Sequence, residues 1–248
     1  MRYFGVASVD AWREQYENPL TAFRASPKFA KRLGPVAAWL RQGEVLATHL
    51  DCKPYDEGAF KAALSGFRAL TLEHDLSVIQ TALTAQCAAH GVAVVFVPAP
   101  PGCPASGATR WLTPEKALLL LSLRHKTNDH LWFTFFHESA HLLKHRKKGL
   151  FVDGLDGLNG DLESEADRFA CDVLIPPTDA RRLETLALEA HGRLSKELVK
   201  EFARGIGVAP GVVVGRMQKE KWVPWTHFND LKDQYEWPEA AVLNDSYE

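Results

Sequence analysis

The sequence predicts an α+β fold, with a small, mostly antiparallel sheet packed on helices. Three observations carry this. The first 90 residues hold helical patterns, Val92 opens a stretch of short β-rich apolar runs, and helical spacing returns from Leu131 onward. The apolar fraction of 46% belongs to a globular chain, and 17 Gly with 14 Pro are too few for low complexity.

The elements follow in order. Pro35 is placed as a first helical residue, with Val36, Trp39 and Leu40 following at helical spacing. Asp75 reads as an N-cap for a helix whose stripe is Leu76, Ile79, Leu83 and Cys87, and Gly91 stops it. Val92 to Val97 is a strand ended by Pro98-Ala99-Pro100-Pro101-Gly102. Gly107 to Leu112 and Ala117 to Leu123 are two more, joined by a turn at Thr113-Pro114-Glu115-Lys116. A sheet of about three strands is therefore expected.

Leu131 to Lys144 is apolar almost all the way round, which predicts a buried helix. Leu150 to Asp161 reads as a Gly-, Asp- and Asn-rich loop, and Leu162 to Leu174 as a helix stopped by Pro176-Pro177. Ser195 caps a helix to Arg204, with Leu194 stapled onto Val199, and Pro210 starts a last short helix to Met217. The following segment holds Trp222, Trp225, Phe228, Tyr235 and Trp237, too aromatic for a solvated tail. It is expected to pack on the body or on a partner. The chain thus divides into a helical region 1–90, a core 91–218 and an aromatic-rich tail 219–248.

A net charge of −2 with no long basic stripe argues against direct nucleic-acid binding, which needs counterion release from many phosphates. The apolar runs, Ala117 to Leu121 among them, are far from the ~20 residues of a membrane helix. The N-terminus lacks an apolar core of signal-peptide length. The four cysteines are scattered with no C-x-x-C pair, as suits a reducing compartment. A cytoplasmic protein is expected.

Five of the ten histidines fall between His125 and His145. Among them, His137-Glu138-Ser139-Ala140-His141 is an H-E-x-x-H motif. On a helix, i and i+4 lie about 40° apart, so both imidazoles share a face and can reach one Zn²⁺. Glu138 then sits beside the metal, where a carboxylate can take a proton from water. A catalytic zinc needs a third protein ligand and an open position. The next helix offers Glu163 and Glu165. The apolar stripe there is Leu162, Ala166, Phe169, Ala170, Val173 and Leu174. Glu163 lies about 60° from the stripe's mean direction and Glu165 about 100° from it, on the other flank. Glu163 is the expected ligand. Glu165 is expected to face solvent near Arg168. Asp167 can accept a hydrogen bond from a ligand histidine, or serve only as a solvated helix charge.

H-E-x-x-H followed by E-x-x-A-D on a second helix resembles the ImmA/IrrE family of metallopeptidases. The likeness extends to Phe4-Gly5-Val6-Ala7-Ser8, Trp39-Leu40-Arg41, Gly107-Ala108-Thr109-Arg110-Trp111, Trp132 to Glu138, Glu163 to Ala170, Leu174-Ile175-Pro176 and Val214 to Gln218. It implies a zincin-like core with zinc on His137, His141 and Glu163. It also implies a zinc endopeptidase that cuts a helix-turn-helix repressor under stress or mobile-element control. Many relatives carry an N-terminal helix-turn-helix domain. This sequence begins where the following domain would begin, so the expectation is either that the repressor is a separate chain, encoded nearby and the partner, or that this sequence is a truncated piece of a longer protein. The alternative is a non-catalytic zinc-containing sensing module of a transcription regulator or toxin–antitoxin system. The Glu138 side chain argues against it, because a structural site has no need of a base.

Arg124 or a histidine such as His145 is the candidate to bind substrate or stabilise an oxyanion, while His125, His130 and His145 can equally form a polar rim. Asp153, Asp156, Asn159 and Asp161 do not match the calcium-loop spacing. Arg146-Lys147-Lys148 is explained by the helix dipole. Cys103 reads as structural. A substrate strand is expected to add along Gly107 to Leu112 as a sheet edge.

Overall fold

The computed structural model describes residues 1–21, 27–145, 150–153, 160–189 and 194–237. The Arg146-Lys147-Lys148 run, Asp156, Asn159 and the tail beyond 237 lie outside them. Short helices α1 (Val9–Trp12) and α2 (Asn18–Thr21) lead into α3 (Pro27–Thr48), α4 (Glu57–Phe67) and α5 (Leu76–Ala88). Strands β1 (Val92–Phe96), β2 (Gly107–Thr113) and β3 (Lys116–Leu121) follow, then α6 (Asn128–Lys144) and β4 (Leu150–Val152). Helices α7 (Gly160–Leu174), α8 (Pro177–Glu189), α9 (Lys196–Ile206) and α10 (Pro210–Lys219) complete the α+β fold.

Local chemistry sets most boundaries. Asp75 Oδ1 accepts from the Ser77 amide at the start of α5. Ser195 Oγ accepts from the Leu198 amide at the start of α9, which ends at Gly207 in a left-handed conformation. Pro210 occupies the first turn of α10, where its missing amide hydrogen leaves no bond unmade. Pro35 does not start a helix. It lies inside α3, which begins with Pro27 at its first position. Trp39 and Leu40 remain on the buried face.

The sheet has four strands in the order β1-β3-β2-β4 and is mixed, not a three-stranded and largely antiparallel one. β1 pairs parallel with β3, while β2 pairs antiparallel with both β3 and β4. The segment read as a loop from Leu150 contributes β4. β2 is therefore interior and cannot receive a substrate strand. Among the described residues the free edges belong to β1 and β4.

Both faces of the sheet are covered. Ala117, Leu119 and Leu121 of β3 point to a core shared with α4 to α10, and Leu118 and Leu120 to a second core under α3. Burial on both sides explains why β3 is apolar at successive positions. Each core crosses the sequence boundary at residue 90, and the first also takes in Trp222, Phe228, Tyr235 and Trp237. On the α3 side the buried Glu44 carboxylate is fully engaged. Arg110 Nη1 donates to it at 2.6 Å and Tyr16 Oη at 2.7 Å, tying the N-terminal turns to β2.

Gly91 joins α5 to β1 at φ +80°, and a Cβ there would collide with the Tyr55 backbone. Gly91→Ala is expected to destabilise the fold by about 3 kcal/mol, from left-handed strain plus overpacking against main chain. A urea midpoint unchanged from wild type would contradict this.

Candidate metal centre

The site is built where α6 lies between the sheet and α7. Alternation along β2 and β4 turns Gly107, Thr109 and Phe151 toward α6, while Ala108, Leu150 and Val152 enter the core under α3. Thr109 and Phe151 are direct cross-strand partners. The Phe151 ring stacks on His141 at 4.0 Å between centroids. Gly107 lies so close to α6 that an added Cβ would sit 2.5 Å from Thr134 Cγ2 and 2.7 Å from Glu138 Cγ. On the other side, the buried small residues Ala166 and Ala170 let α7 approach α6 closely.

His137 Nε2, His141 Nε2 and a Glu163 oxygen converge. The two nitrogens are 3.0 Å apart, and Glu163 Oε2 is 3.1 Å from the first and 3.6 Å from the second. This group can hold a metal ion. The far side of each ring settles which nitrogen carries hydrogen. His137 Nδ1 donates to Asp167 Oδ1 at 3.0 Å, and Lys219 Nζ holds the other Asp167 oxygen at 2.7 Å. His141 Nδ1 lies 2.9 Å from His145 Nδ1, whose Nε2 lies 3.0 Å from Glu165 Oε2. His145 donates to the carboxylate, so its Nδ1 accepts from His141. Both Nε2 atoms then face Glu163 across a gap suited to positive charge.

A proton meets that need only in part. Burial opposes charge on His137, yet the hydrogen bonds to Asp167 and Glu163 outweigh it and push the imidazole up to about 10. Burial, opposed by Glu163 but reinforced by the nearby His137, pulls His141 down. Against its own burial, Glu163 is held to about 2 by hydrogen bonds from the two imidazoles. One proton cannot serve three convergent donor atoms, whereas a divalent metal ion could.

Glu138 turns from this group toward the sheet. Its side chain is 0% exposed, and neither carboxylate oxygen has a hydrogen-bond partner among the described residues. The facing Thr109 hydroxyl also lacks one. Burial pushes the Glu138 carboxyl well above its usual range. Leaving such a group unpaired costs roughly 1–3 kcal/mol or more.

One expectation needs correction. His145 is buried behind His141 and bonds to it. Glu165 does face solvent, as expected, and there Lys144 Nζ at 2.8 Å and His145 hold it, keeping its carboxyl at about 2. Arg124 lines a cavity next to the site and donates to the Pro104 carbonyl. His125 and His130 stack at 4.1 Å on the same cavity. Cys103 packs under α3, on the opposite face of the sheet.

Phe151 and Lys219 escaped the sequence reading. The signal for Phe151 was a three-residue apolar run after a basic stretch. Lys219 lies 52 residues from Asp167 and carries no local signature. No family model matches the chain, and no curated protein matches it.

Glu163→Ala is expected to abolish stoichiometric zinc binding. Asp167→Asn and Glu165→Gln each lower affinity by about 10–100-fold, acting through the two histidines. Equal retention of zinc by all three variants would refute the ligand set. Zinc must also displace the His137 proton, so affinity rises with pH up to about 10. Chelator competition at pH 7 and 8 should differ by about tenfold, and pH-independent affinity would contradict the assignment.

Proposed function

We propose that the protein is a zinc-dependent endopeptidase with a zincin-like core, similar to the ImmA/IrrE family, acting on a protein such as a helix-turn-helix repressor. The observation that carries this reading is the buried, partnerless Glu138 carboxylate next to the three convergent donor atoms. A site that only holds the fold together gains nothing from a costly buried base.

Bound on His137, His141 and Glu163, the metal would supply a Lewis acid for a peptide carbonyl and lower the pKa of water. Glu138 takes a proton from the attacking water as its oxygen bonds to the carbonyl carbon. The same carboxyl then gives that proton to the amide nitrogen as the C–N bond breaks. Burial, which outweighs the facing Thr109 hydroxyl, makes the carboxylate a stronger base, which suits the first step. Asp167 and the His145–Glu165 pair keep both imidazoles in the tautomer that leaves Nε2 free.

An extended substrate segment can add along the free edge of β4. That strand carries Phe151 against His141, so a chain laid beside it passes the donor atoms. Extended linkers fit this mode and folded helices do not. Among the described residues no helix is long and apolar enough to cross a membrane.

Glu138→Gln keeps all three ligands and the side-chain size. It is expected to bind zinc and the repressor encoded beside it, yet to cut that repressor about 10²–10⁴-fold more slowly. Gel analysis with and without chelator reads this directly. Repressor relief in cells with no cleavage product in either protein would overturn the peptidase reading in favour of a sensing module.

A further inference from the structure

A cavity of about 310 Å³ opens beside the metal group. It starts at Phe133 and Thr134, one helical turn before His137, and runs between α7 and α10. Leu174, Ile175 and Val212 are buried and form an apolar floor. Trp225 stands at the mouth, 61% exposed, more than any other large apolar side chain of the described residues. Apolar surface left open at the rim of an apolar cavity marks a contact for a ligand.

Trp225 is held firmly. The fully buried Gln218 side chain donates from Nε2 to the carbonyl oxygens of Trp225 at 3.3 Å and His227 at 2.9 Å. Asn229 Nδ2 also donates to the Trp225 carbonyl, at 2.8 Å. Lys232 Nζ donates to Gln218 Oε1 at 2.8 Å and pairs with Asp129 of α6 at 2.6 Å. The Lys232 and Asp129 side chains are 7% and 8% exposed. This buried polar network anchors the Trp225 backbone to the helix that carries His137. Such a network returns a fixed geometry, and this one leaves Asp129 Oδ1 buried without a hydrogen-bond partner among the described residues.

Of the charges around the cavity, Lys219 holds Asp167, one Asp129 oxygen holds Lys232, Arg216 Nε pairs with Glu220 at 2.9 Å, and Arg124 bonds to a carbonyl, while Asp129 Oδ1 and Arg216 Nη1 are buried without a hydrogen-bond partner among the described residues. The apolar floor of Leu174, Ile175 and Val212 and the exposed Trp225 ring are the surfaces that favour an apolar group.

Resting on the peptidase reading, we infer that this cavity is the specificity pocket. It takes a bulky apolar side chain, aromatic or long aliphatic, from a residue flanking the scissile bond, and Trp225 packs against it. The aromatic segment after α10 is then part of substrate recognition.

The test compares two chelating probes on the zinc-loaded protein, the hydroxamates of N-acetylalanine and N-acetylphenylalanine, by calorimetry. Wild type should bind the phenylalanine probe at least about tenfold more tightly, the worth of burying such a side chain. Trp225→Ala should reduce that preference at least about threefold, the worth of one aromatic contact. Val212→Phe, which fills the floor, should abolish it. Equal affinities in wild type, or an undiminished preference in Trp225→Ala, would overturn the pocket while leaving the metal reading intact. Failure of zinc-loaded wild type to bind either probe would overturn both.

Discussion

Two imidazole nitrogens 3.0 Å apart, both facing the same carboxylate, form an arrangement that could hold a metal ion at its centre. Most of the surrounding structure holds that arrangement open. Asp167 and Lys219 fix His137 from behind, and His145, Glu165 and Lys144 fix His141. Each chain ends in a lysine at the surface, so the negative charge needed to orient the rings is neutralised where water can reach it. The Glu138 carboxyl, by contrast, is fully buried.

The sheet supplies the other half of the constraint. Gly107 lacks the Cβ that would strike Glu138, Thr109 faces the same carboxyl, and Phe151 lies flat on His141. Ala166 and Ala170 keep α7 near enough for Glu163 and Asp167, one turn apart, to reach the same imidazole. Small residues thus set the spacing on both sides of α6, and the ionisable groups fill the space that spacing leaves.

The chemistry was legible in the sequence because it is local. His137, Glu138 and His141 are ordered by helical geometry alone, and the choice of Glu163 over Glu165 followed from the angle each makes with an apolar stripe. The β1 to β3 strands were also legible as short apolar runs. Their order was not, since alternation carries no record of which strand is the neighbour or whether it runs parallel. β4 was invisible because three residues among glycines and aspartates give no period. Pro35 misled because proline is common in a first turn, and the helix that continues through it is held by Trp39 and Leu40 in the core. The links from His145 to Glu165, and from Gln218 through Lys232 to Asp129, join separate helices, and only the packed chain brings them together.

The central claim is that zinc sits on two imidazoles and one carboxylate. X-ray absorption at the zinc edge of the loaded protein tests it most directly. The account predicts two imidazole nitrogens at about 2.0–2.1 Å, oxygen ligands at similar distance and no sulfur. A sulfur shell near about 2.3 Å, or a spectrum with no imidazole scattering, would contradict it.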